Sequence, residues 1–152
     1  MTTLIVAERP DTIEATTLIR ELDGYLAPLY PQESRHGFPV AQLLREAVAF
    51  FVMRQDRMPA GCGGVKLFGT AYGEIKRMYV RPQFRGLGLG KFMLQHLGDY
   101  ARHQGVAVLR LETGIYQPEA IGLYERCGFR RIPPFGAYQE DPLSVFYEKR
   151  LT

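Results

Sequence analysis

Three glycines at alternate positions stand between the end of a β-type segment and the start of a helical one. The stretch runs Met78-Tyr-Val-Arg-Pro-Gln-Phe-Arg-Gly-Leu-Gly-Leu-Gly-Lys91. A glycine-rich turn from a strand into a helix exposes consecutive backbone N–H groups at the positive end of the helix dipole, where phosphate oxygens bind. A side chain would block that close approach, which explains the use of glycine. The pattern therefore predicts a strand–loop–helix unit that binds a phosphate-bearing ligand.

Two common nucleotide-binding motifs do not fit this loop. A P-loop needs a glycine five positions before its Gly-Lys pair and a Ser or Thr after it, whereas this chain has Arg85 and Phe92 there. A dinucleotide fingerprint reads Gly-x-Gly-x-x-Gly, and its third glycine is replaced by Lys91. The order of the flanking strands is also wrong for the dinucleotide motif. A different kind of phosphate site is expected.

The rest of the chain alternates between short apolar β-type runs and amphipathic helical segments. Asp11 and Glu14 resemble a capping box at the start of the first helix, and Asp56, Pro59 and Gly61 mark a hairpin turn. Residues 30–39 and 132–142 are predicted to be loops. Strands are predicted at 3–7, 48–53, 64–68, 74–80, 106–113 and 143–149, and helices from 11, at 40–47, 89–104 and 117–127. This order predicts one α/β domain over residues 1–152 with a mixed sheet.

Composition narrows the class of protein further. The formal net charge is +3, and no basic runs are present, so the chain lacks the electrostatic footprint of a nucleic-acid binder. Cys62 and Cys127 do not have the spacing of a zinc site or the density of a disulfide scaffold, and we expect both to be buried free thiols and no metal to be bound. No segment resembles a signal peptide or a membrane span, so we expect a cytoplasmic protein without a membrane partner.

Two motifs in order carry a family resemblance. Arg85-Gly-Leu-Gly-Leu-Gly90 resembles the Gln/Arg-x-x-Gly-x-Gly/Ala signature of GNAT acetyltransferases. Downstream, the chain matches a second family pattern at Glu112-Thr113, Ala120, Leu123-Tyr124 and Gly128-Phe129, with Gln117 where Asn is usual. The resemblance covers residues 3–149. It implies the GNAT fold, a mixed, mostly antiparallel sheet of six to seven strands flanked by about four helices and splayed between the fourth and fifth strands.

The resemblance also implies a cofactor, acetyl-CoA, whose pyrophosphate binds the loop amides and whose thioester carbonyl binds a backbone N–H near the end of the fourth strand. Arg85 and Lys91 would add positive charge beside the phosphates, and the Gln117 amide would bind the pantetheine arm or cap the helix. The predicted cofactor-binding residues are Met78, Tyr79, Val80, Arg85, Gly86, Leu87, Gly88, Leu89, Gly90, Lys91, Gln117, Ala120 and Tyr124.

The activity implied by the resemblance is transfer of the acetyl group to a primary amine of a small molecule, by direct attack in a ternary complex. Tyr124 is the expected acid for the departing thiolate, and Glu74 the first choice as base, directly or through water. Glu112 is the second choice, although it alternates with Leu111 and Thr113 and so faces the other side of the sheet from them. Candidate acceptor-binding residues are Tyr30, Glu33, Arg35, His36, Thr113, Phe135 and Tyr138.

Two other functions are compatible with the same motifs. One is a catalytically silent acyl-CoA-binding sensor, which keeps the glycine loop but does not need Tyr124 or a base. The other is acetylation of a protein N-terminus or lysine, which requires an open acceptor groove. A homodimer is also expected, because GNAT domains often pair.

Overall fold

The computed structural model of the chain describes residues 2–35 and 37–152. Seven strands and four α-helices occur in these ranges, together with two short 3₁₀ turns at Gln32–Ser34 and Pro82–Phe84. The strands are β1 Thr3–Ala7, β2 Ala49–Gln55, β3 Met58–Phe68, β4 Tyr72–Val80, β5 Val108–Gly114, β6 Arg130–Ile132 and β7 Ser144–Arg150. The helices are α1 Ile13–Leu26, α2 Val40–Arg45, α3 Leu89–His103 and α4 Pro118–Arg126.

All seven strands form one sheet in the order β1-β2-β3-β4-β5-β7-β6. Neighbouring strands are antiparallel except β4 and β5, which are parallel and pair only at Gly73 with Leu109 and at Glu74 with Arg110. Beyond these two pairs the strands diverge, since β4 continues to Val80 and β5 to Gly114. The predicted mixed sheet, its helices and its opening between the fourth and fifth strands are confirmed.

Apolar side chains cover both faces of the sheet. On one face α3 and α4 pack on β3, β4, β5 and β7 through a core that includes Met93, Leu97 and Leu111. On the other face α1 and α2 pack on β2 and β3 through Leu18, Leu43 and Val52, among others. A central sheet covered by helices on both sides is a stable layered arrangement. It places the open end of the sheet between α1 on one face and α4 on the other.

Several local predictions differ from the structure. The hairpin turn is the dipeptide Asp56-Arg57, whose φ angles are +48° and +74°, so Pro59 and Gly61 belong to β3. Two residues with positive φ match the right-handed twist of a tight hairpin. The cap of α1 is Thr12, whose hydroxyl accepts from the Ala15 amide, whereas Asp11 pairs with Arg9.

Two further differences concern the chain after α4. Residues 130–132 form the edge strand β6 on β7, whereas the sequence predicts that the loop begins at residue 132. A strand of three residues is too short to give an alternating pattern, so nothing in the sequence predicted it. Cys62 is fully buried as expected, but Cys127 is only half-buried.

Candidate active site

The opening in the sheet begins at a β-bulge in β4. The register against β3 shifts between Cys62 and Gly64, and Arg77 opposite has a φ of +56°. The Cys62 thiol donates a hydrogen bond of 3.3 Å to the Arg77 carbonyl. Such a bulge bends the strand and increases its twist, which turns the end of β4 away from β5. Among the described residues, the backbone groups of β4 that face this gap have no strand partner, so they are available to a ligand.

The glycine loop leads from β4 into α3 as predicted. Gly86 and Gly88 have φ angles of +82° and +78°, a region that side chains disfavour, and nothing lies within 4 Å of a Cβ built on either residue. Gly88 is the N-cap and makes no side-chain cap, and the first hydrogen bond of the helix runs from the Phe92 amide to the Gly88 carbonyl at 3.1 Å. The preceding amides of the first turn therefore face an open space with the helix dipole behind them.

Gly90 has a different role from the other two glycines. It lies inside α3, and a Cβ there would be 2.7 Å from Cδ2 of Leu123 on α4. The missing side chain lets the two helices approach each other at the mouth of the loop. Two glycines thus shape the loop, and the third brings α4 up to it.

A cavity of about 550 Å³ extends from the glycine loop along α4 to the opening in the sheet. Of the predicted cofactor-binding residues, Met78, Tyr79, Val80, Arg85, Gly86, Gly88, Leu89, Gly90, Lys91, Gln117, Ala120 and Tyr124 line it. Leu87 does not line the cavity; it is 49% exposed to solvent. Arg85 and Lys91 are exposed at the rim, where the Arg85 Nε donates to the Val80 carbonyl at 3.0 Å.

The cavity also has a lining that sequence reasoning missed. Leu22 and Tyr25 come from α1, and Phe84, Glu119, Leu123, Arg126 and Cys127 complete the wall. The last four lie on or beside α4, where their spacing could have revealed them. No local signal connects α1 to this wall, since about sixty residues separate it from the loop.

Tyr124, on α4, is a buried residue of the cavity lining. It is 7% exposed, and its ring packs edge-on against Phe129 with centroids 5.7 Å apart. Within the described residues its hydroxyl makes no hydrogen bond. Burial, and secondarily the charge of Glu112, raises the pKa of Tyr124 well above that of a free tyrosine. The hydroxyl therefore stays protonated at neutral pH.

A second cavity, of about 100 Å³, adjoins the first on the α1 side of the opening. Leu22, Met78 and Gln117 line both cavities, so the two meet at the point where β4 and β5 separate. The predicted acceptor residues Tyr30, Arg35, Thr113 and Tyr138 line it, together with both candidate bases, Glu74 and Glu112.

Two other predicted acceptor residues lie elsewhere. Glu33 is exposed on the 3₁₀ turn and lines neither cavity. Phe135 is buried behind Tyr138, with ring centroids 5.2 Å apart. His36 lies outside the described residues.

Glu74 belongs to a cluster of three polar side chains, in which Glu74 and Lys76 are buried and Tyr138 is half-buried. Its Oε2 lies 2.9 Å from the Lys76 Nζ and accepts a 2.5 Å hydrogen bond from the Tyr138 hydroxyl. Lys76 in turn donates to the Tyr138 oxygen at 2.9 Å. Burial, followed by the charge of Glu74, raises the pKa of Tyr138. Both contacts fall on Oε2, so the second carboxylate oxygen, Oε1, makes no hydrogen bond among the described residues.

Glu112 lies on β5 across the cavity. The Ser144 hydroxyl donates to its Oε2 at 2.7 Å. Its neighbour Leu111 is buried in the core under α3, and Glu112 lines the cavity with Glu74. The two candidate bases therefore lie on the same side of the sheet, opposite to Leu111.

The loop after α1 is attached to the end of β5 and forms one side of the second cavity. The Tyr30 hydroxyl accepts from the Tyr116 amide at 2.9 Å and donates to the Gln117 Oε1 at 3.3 Å. Gln117 Oε1 also accepts from the Gly114 amide at 3.2 Å, so its side chain does not cap α4. The cap expected as one role for Gln117 is absent, while its amide nitrogen remains available to the first cavity.

Two classes of site are absent from the described part of the chain. Residues 2–35 and 37–152 contain no group of three or more His, Cys, Asp or Glu side chains that could hold a metal ion. No helix in the same ranges is long and apolar enough to span a bilayer.

Comparison with known proteins gives a consistent result. The sequence model of the Acetyltransferase (GNAT) family matches residues 15–129. An IAA acetyltransferase of Azospirillum brasilense is 43% identical over 148 residues, which cover 97% of both chains. An uncharacterized N-acetyltransferase of Bacillus subtilis, YsnE, is 35% identical over 141 residues, covering 91% of this chain and 93% of the relative.

Solved structures agree with this assignment. A Klebsiella pneumoniae protein described as an acyl-CoA N-acyltransferase superposes with a TM-score of 0.85 at 37% identity, covering 99% of each chain. The PaiA N-acetyltransferase of Thermoplasma acidophilum, crystallised with coenzyme A, shares the fold with a TM-score of 0.78 at 19% identity, over 99% of each chain. With the open loop amides and the cavity beside them, these matches show that the chain belongs to the GNAT family and is an acetyl-CoA-dependent N-acetyltransferase.

Proposed function

We propose that this enzyme transfers the acetyl group to a primary amine of a small molecule, by direct attack while donor and acceptor are bound together. The observation that carries the proposal is the meeting of the two cavities at the opening between β4 and β5. The larger one begins at the glycine loop, and the smaller one contains the candidate bases. Two cavities that join at one point suit a reaction between two bound molecules without an enzyme-linked intermediate.

The residues of the larger cavity fit the cofactor. The unpaired amides at the start of α3 suit a pyrophosphate, and Arg85 and Lys91 at the rim add positive charge. Leu22, Ala120 and Leu123 form an apolar wall for the pantetheine arm. When bound, acetyl-CoA supplies an activated thioester whose acyl carbon is open to attack by an amine.

Tyr124 and the end of β4 serve the two charges that develop during transfer. Backbone N–H groups near Met78 and Val80 would stabilise negative charge on the carbonyl oxygen, because they have no strand partner on the β5 side. The Tyr124 hydroxyl would donate its proton to the departing sulfur. Its raised pKa keeps that proton in place until the sulfur becomes negative.

The acceptor amine must lose a proton to attack. Glu74 is the base that we favour, because its Oε1 makes no hydrogen bond to any described residue, while Lys76 and Tyr138 hold Oε2. Glu112 remains the second candidate, and a water between the two carboxylates would relay the proton from either side. The variants Glu74→Gln and Glu112→Gln separate the two, since only loss of the base should remove the acidic limb of the pH–rate profile.

The size of the acceptor cavity favours a small molecule over a protein acceptor. The cavity of about 100 Å³ that contains both candidate bases holds only a few non-hydrogen atoms, and the loop anchored by Tyr30 lies on one side of it. A protein N-terminus or lysine would require a groove in which several residues could lie. The buried, charged lining also favours an enzyme over a silent sensor, since binding of acyl-CoA alone does not need it.

A thiol-release assay tests the proposal. Acetyl-CoA is incubated with amines, amino acids, polyamines and short peptides, and coenzyme A binding is checked by thermal shift. We expect a cofactor-induced shift and turnover with one class of small amine. A shift with turnover only on peptides would replace this proposal with protein acetylation, and a shift without any turnover would support the sensor.

Three broader predictions from the sequence have no bearing on this reaction. A single domain over 1–152, a cytoplasmic location and a homodimer stay predictions. Size-exclusion chromatography with light scattering would measure the last of these directly.

A further inference from the structure

Two arginines beside the acceptor cavity have donors without partners. The Nε atoms of Arg35 and Arg77 are buried, and neither makes a hydrogen bond in the described part of the chain. Both residues line the cavity of about 100 Å³. A buried N–H without an acceptor is costly, and native proteins rarely retain one unless it has a function. Two of them on the wall of one cavity indicate a ligand that accepts hydrogen bonds.

Arg77 is held rigidly in this orientation. Its side chain is 4% exposed, and its Nη2 donates to Asp23 at 2.6 Å and to the Ile19 carbonyl at 3.3 Å. The backbone at Gly37 lies so close that a Cβ there would be 2.2 Å from the Arg77 Nη1. The guanidinium is therefore fixed to α1 through Nη2, and Nη1 lies beside the loop that carries Arg35 and Gly37.

Charge in the cavity favours an anion as that ligand. Among the described residues its lining contains three cations, Arg35, Lys76 and Arg77, and two carboxylates, Glu74 and Glu112. Glu74 and Lys76 compensate each other at 2.9 Å. Asp23 reaches Arg77 from the solvent side with 59% of its side chain exposed, so water weakens its compensation. The amine of the acceptor must be neutral when it attacks. An acceptor that also carries a carboxylate therefore has a net charge of −1 in this site.

We propose that Arg35 and Arg77 form a carboxylate-binding subsite, and that the acceptor is an amine with a carboxylate within a few bonds of its nitrogen. This inference rests on the proposed acetyl transfer to a small amine. Guanidinium groups bind carboxylates through paired, directional hydrogen bonds, which would hold the amine in a fixed direction relative to Glu74. The small volume requires the two groups of the acceptor to be close together, as in an α- or β-amino acid.

The test compares acceptors that differ only at the carboxylate. Each amino acid is paired with its carboxamide, and β-alanine is paired with 2-aminoethylphosphonate. We expect kcat/KM to be about 10- to 100-fold higher for the acid than for its amide, which corresponds to the loss of a charge-assisted hydrogen bond. Amides that react as well as the acids would overturn the inference and leave the proposed function intact. Preference for the phosphonate over β-alanine would also overturn it.

Arginine variants connect the preference to these residues. Arg35→Gln should raise KM for the acid about 10- to 100-fold and leave kcat/KM for the amide nearly unchanged. Arg20→Gln on the exposed face of α1 is the matched control and should change neither value. If Arg35→Gln lowers kcat/KM equally for the acid and for the amide, Arg35 acts only structurally and the subsite is refuted. Unchanged coenzyme A binding by thermal shift shows that the variant is folded.

Calorimetry separates this inference from the failure of the reaction. The acids and amides are titrated into protein saturated with coenzyme A, which needs no turnover. Binding of the acid alone, weakened by Arg35→Gln, supports the subsite even if no thiol is released. Equal binding of acid and amide, or binding of neither, refutes it.

Discussion

Removal of one oxygen atom from Tyr124 should separate chemistry from binding in this enzyme. In Tyr124→Phe the ring keeps its packing against Phe129, at a centroid distance of 5.7 Å. The hydroxyl makes no hydrogen bond within the described residues, so its removal leaves no partner unsatisfied. We therefore expect the free energy of unfolding to change by less than about 1 kcal/mol. Coenzyme A affinity should also be retained, because the amides proposed to bind the phosphates belong to the start of α3, whereas Tyr124 is on α4.

The rate should respond strongly. A positioned acid typically contributes about 10²- to 10⁴-fold to a proton-transfer step, which corresponds to about 3 to 5 kcal/mol in the activation barrier. We expect kcat for thiol release to fall within that range at saturating acetyl-CoA and acceptor. Because burial raises the pKa of Tyr124, the wild-type rate should show no alkaline loss from this group in the neutral and mildly alkaline range. A kcat within about twofold of wild type would refute the assignment.

Tyr147→Phe is the matched control. Tyr147 is buried on the same face, with ring centroids 6.5 Å from Tyr124, but it lines neither cavity. Its hydroxyl donates to Glu125 Oε2 at 2.8 Å. Loss of that hydrogen bond should lower the free energy of unfolding by about 1 kcal/mol and leave kcat unchanged. Tyr124→Phe should thus lower kcat but not stability, whereas Tyr147→Phe should lower stability but not kcat. Steady-state kinetics and thermal denaturation measure the two quantities.

Three other predictions concern the acceptor pocket and the two thiols. Gly114→Ala would put a Cβ 2.0 Å from the Tyr30 hydroxyl, so we expect the loop that carries Tyr30 to shift. The acceptor KM, measured by steady-state kinetics, should rise about 10-fold or more. Coenzyme A affinity, measured by calorimetry, should not fall. Cys127 lines the cofactor cavity and Cys62 is buried. A thiol reagent should therefore modify only Cys127 in the native protein, and coenzyme A should slow that reaction. Modification of Cys62 before unfolding would contradict the packing. Burial raises the pKa of Cys62 from 9.0 to about 12. The contribution of the neutral thiol to stability is therefore complete below about pH 9 and is lost as the pH rises toward 12. Urea denaturation of wild type and Cys62→Ala at pH 8 and pH 10 should show a larger alkaline loss of stability in wild type.

Much of the cofactor site could be predicted from the sequence because its chemistry is local. The loop from Arg85 to Gly90 and the first turn of α3 are continuous in the chain, and the unpaired amides follow from the helix start itself. The separate reasons for the glycines needed the structure. Gly86 and Gly88 have positive φ angles, whereas Gly90 makes room for Leu123, which is on another helix.

The acceptor site depends on contacts between distant segments. Tyr138 reaches Glu74 across 64 positions of sequence, and Tyr30 reaches Gln117 across 87. Such contacts are determined by the strand order β4-β5-β7, in which β7 follows β5 although β6 precedes it in the chain. No local periodicity encodes that order. The sequence therefore made Glu33 and Arg35 equally good candidates for acceptor binding, but only Arg35 lines the cavity.

By itself the sequence therefore determined the order of the elements, the glycine loop and the family, since each of these depends on residues that are close in the chain. The tertiary structure alone decided where the bulge at Arg77 opens the sheet. It also decided which oxygen of Glu74 and which two arginine donors beside the acceptor cavity make no hydrogen bond within residues 2–35 and 37–152. The physical reason is that side-chain pairing across a sheet and its covering loops depends on the packing of the whole chain, whereas caps and turns depend on a few neighbouring residues.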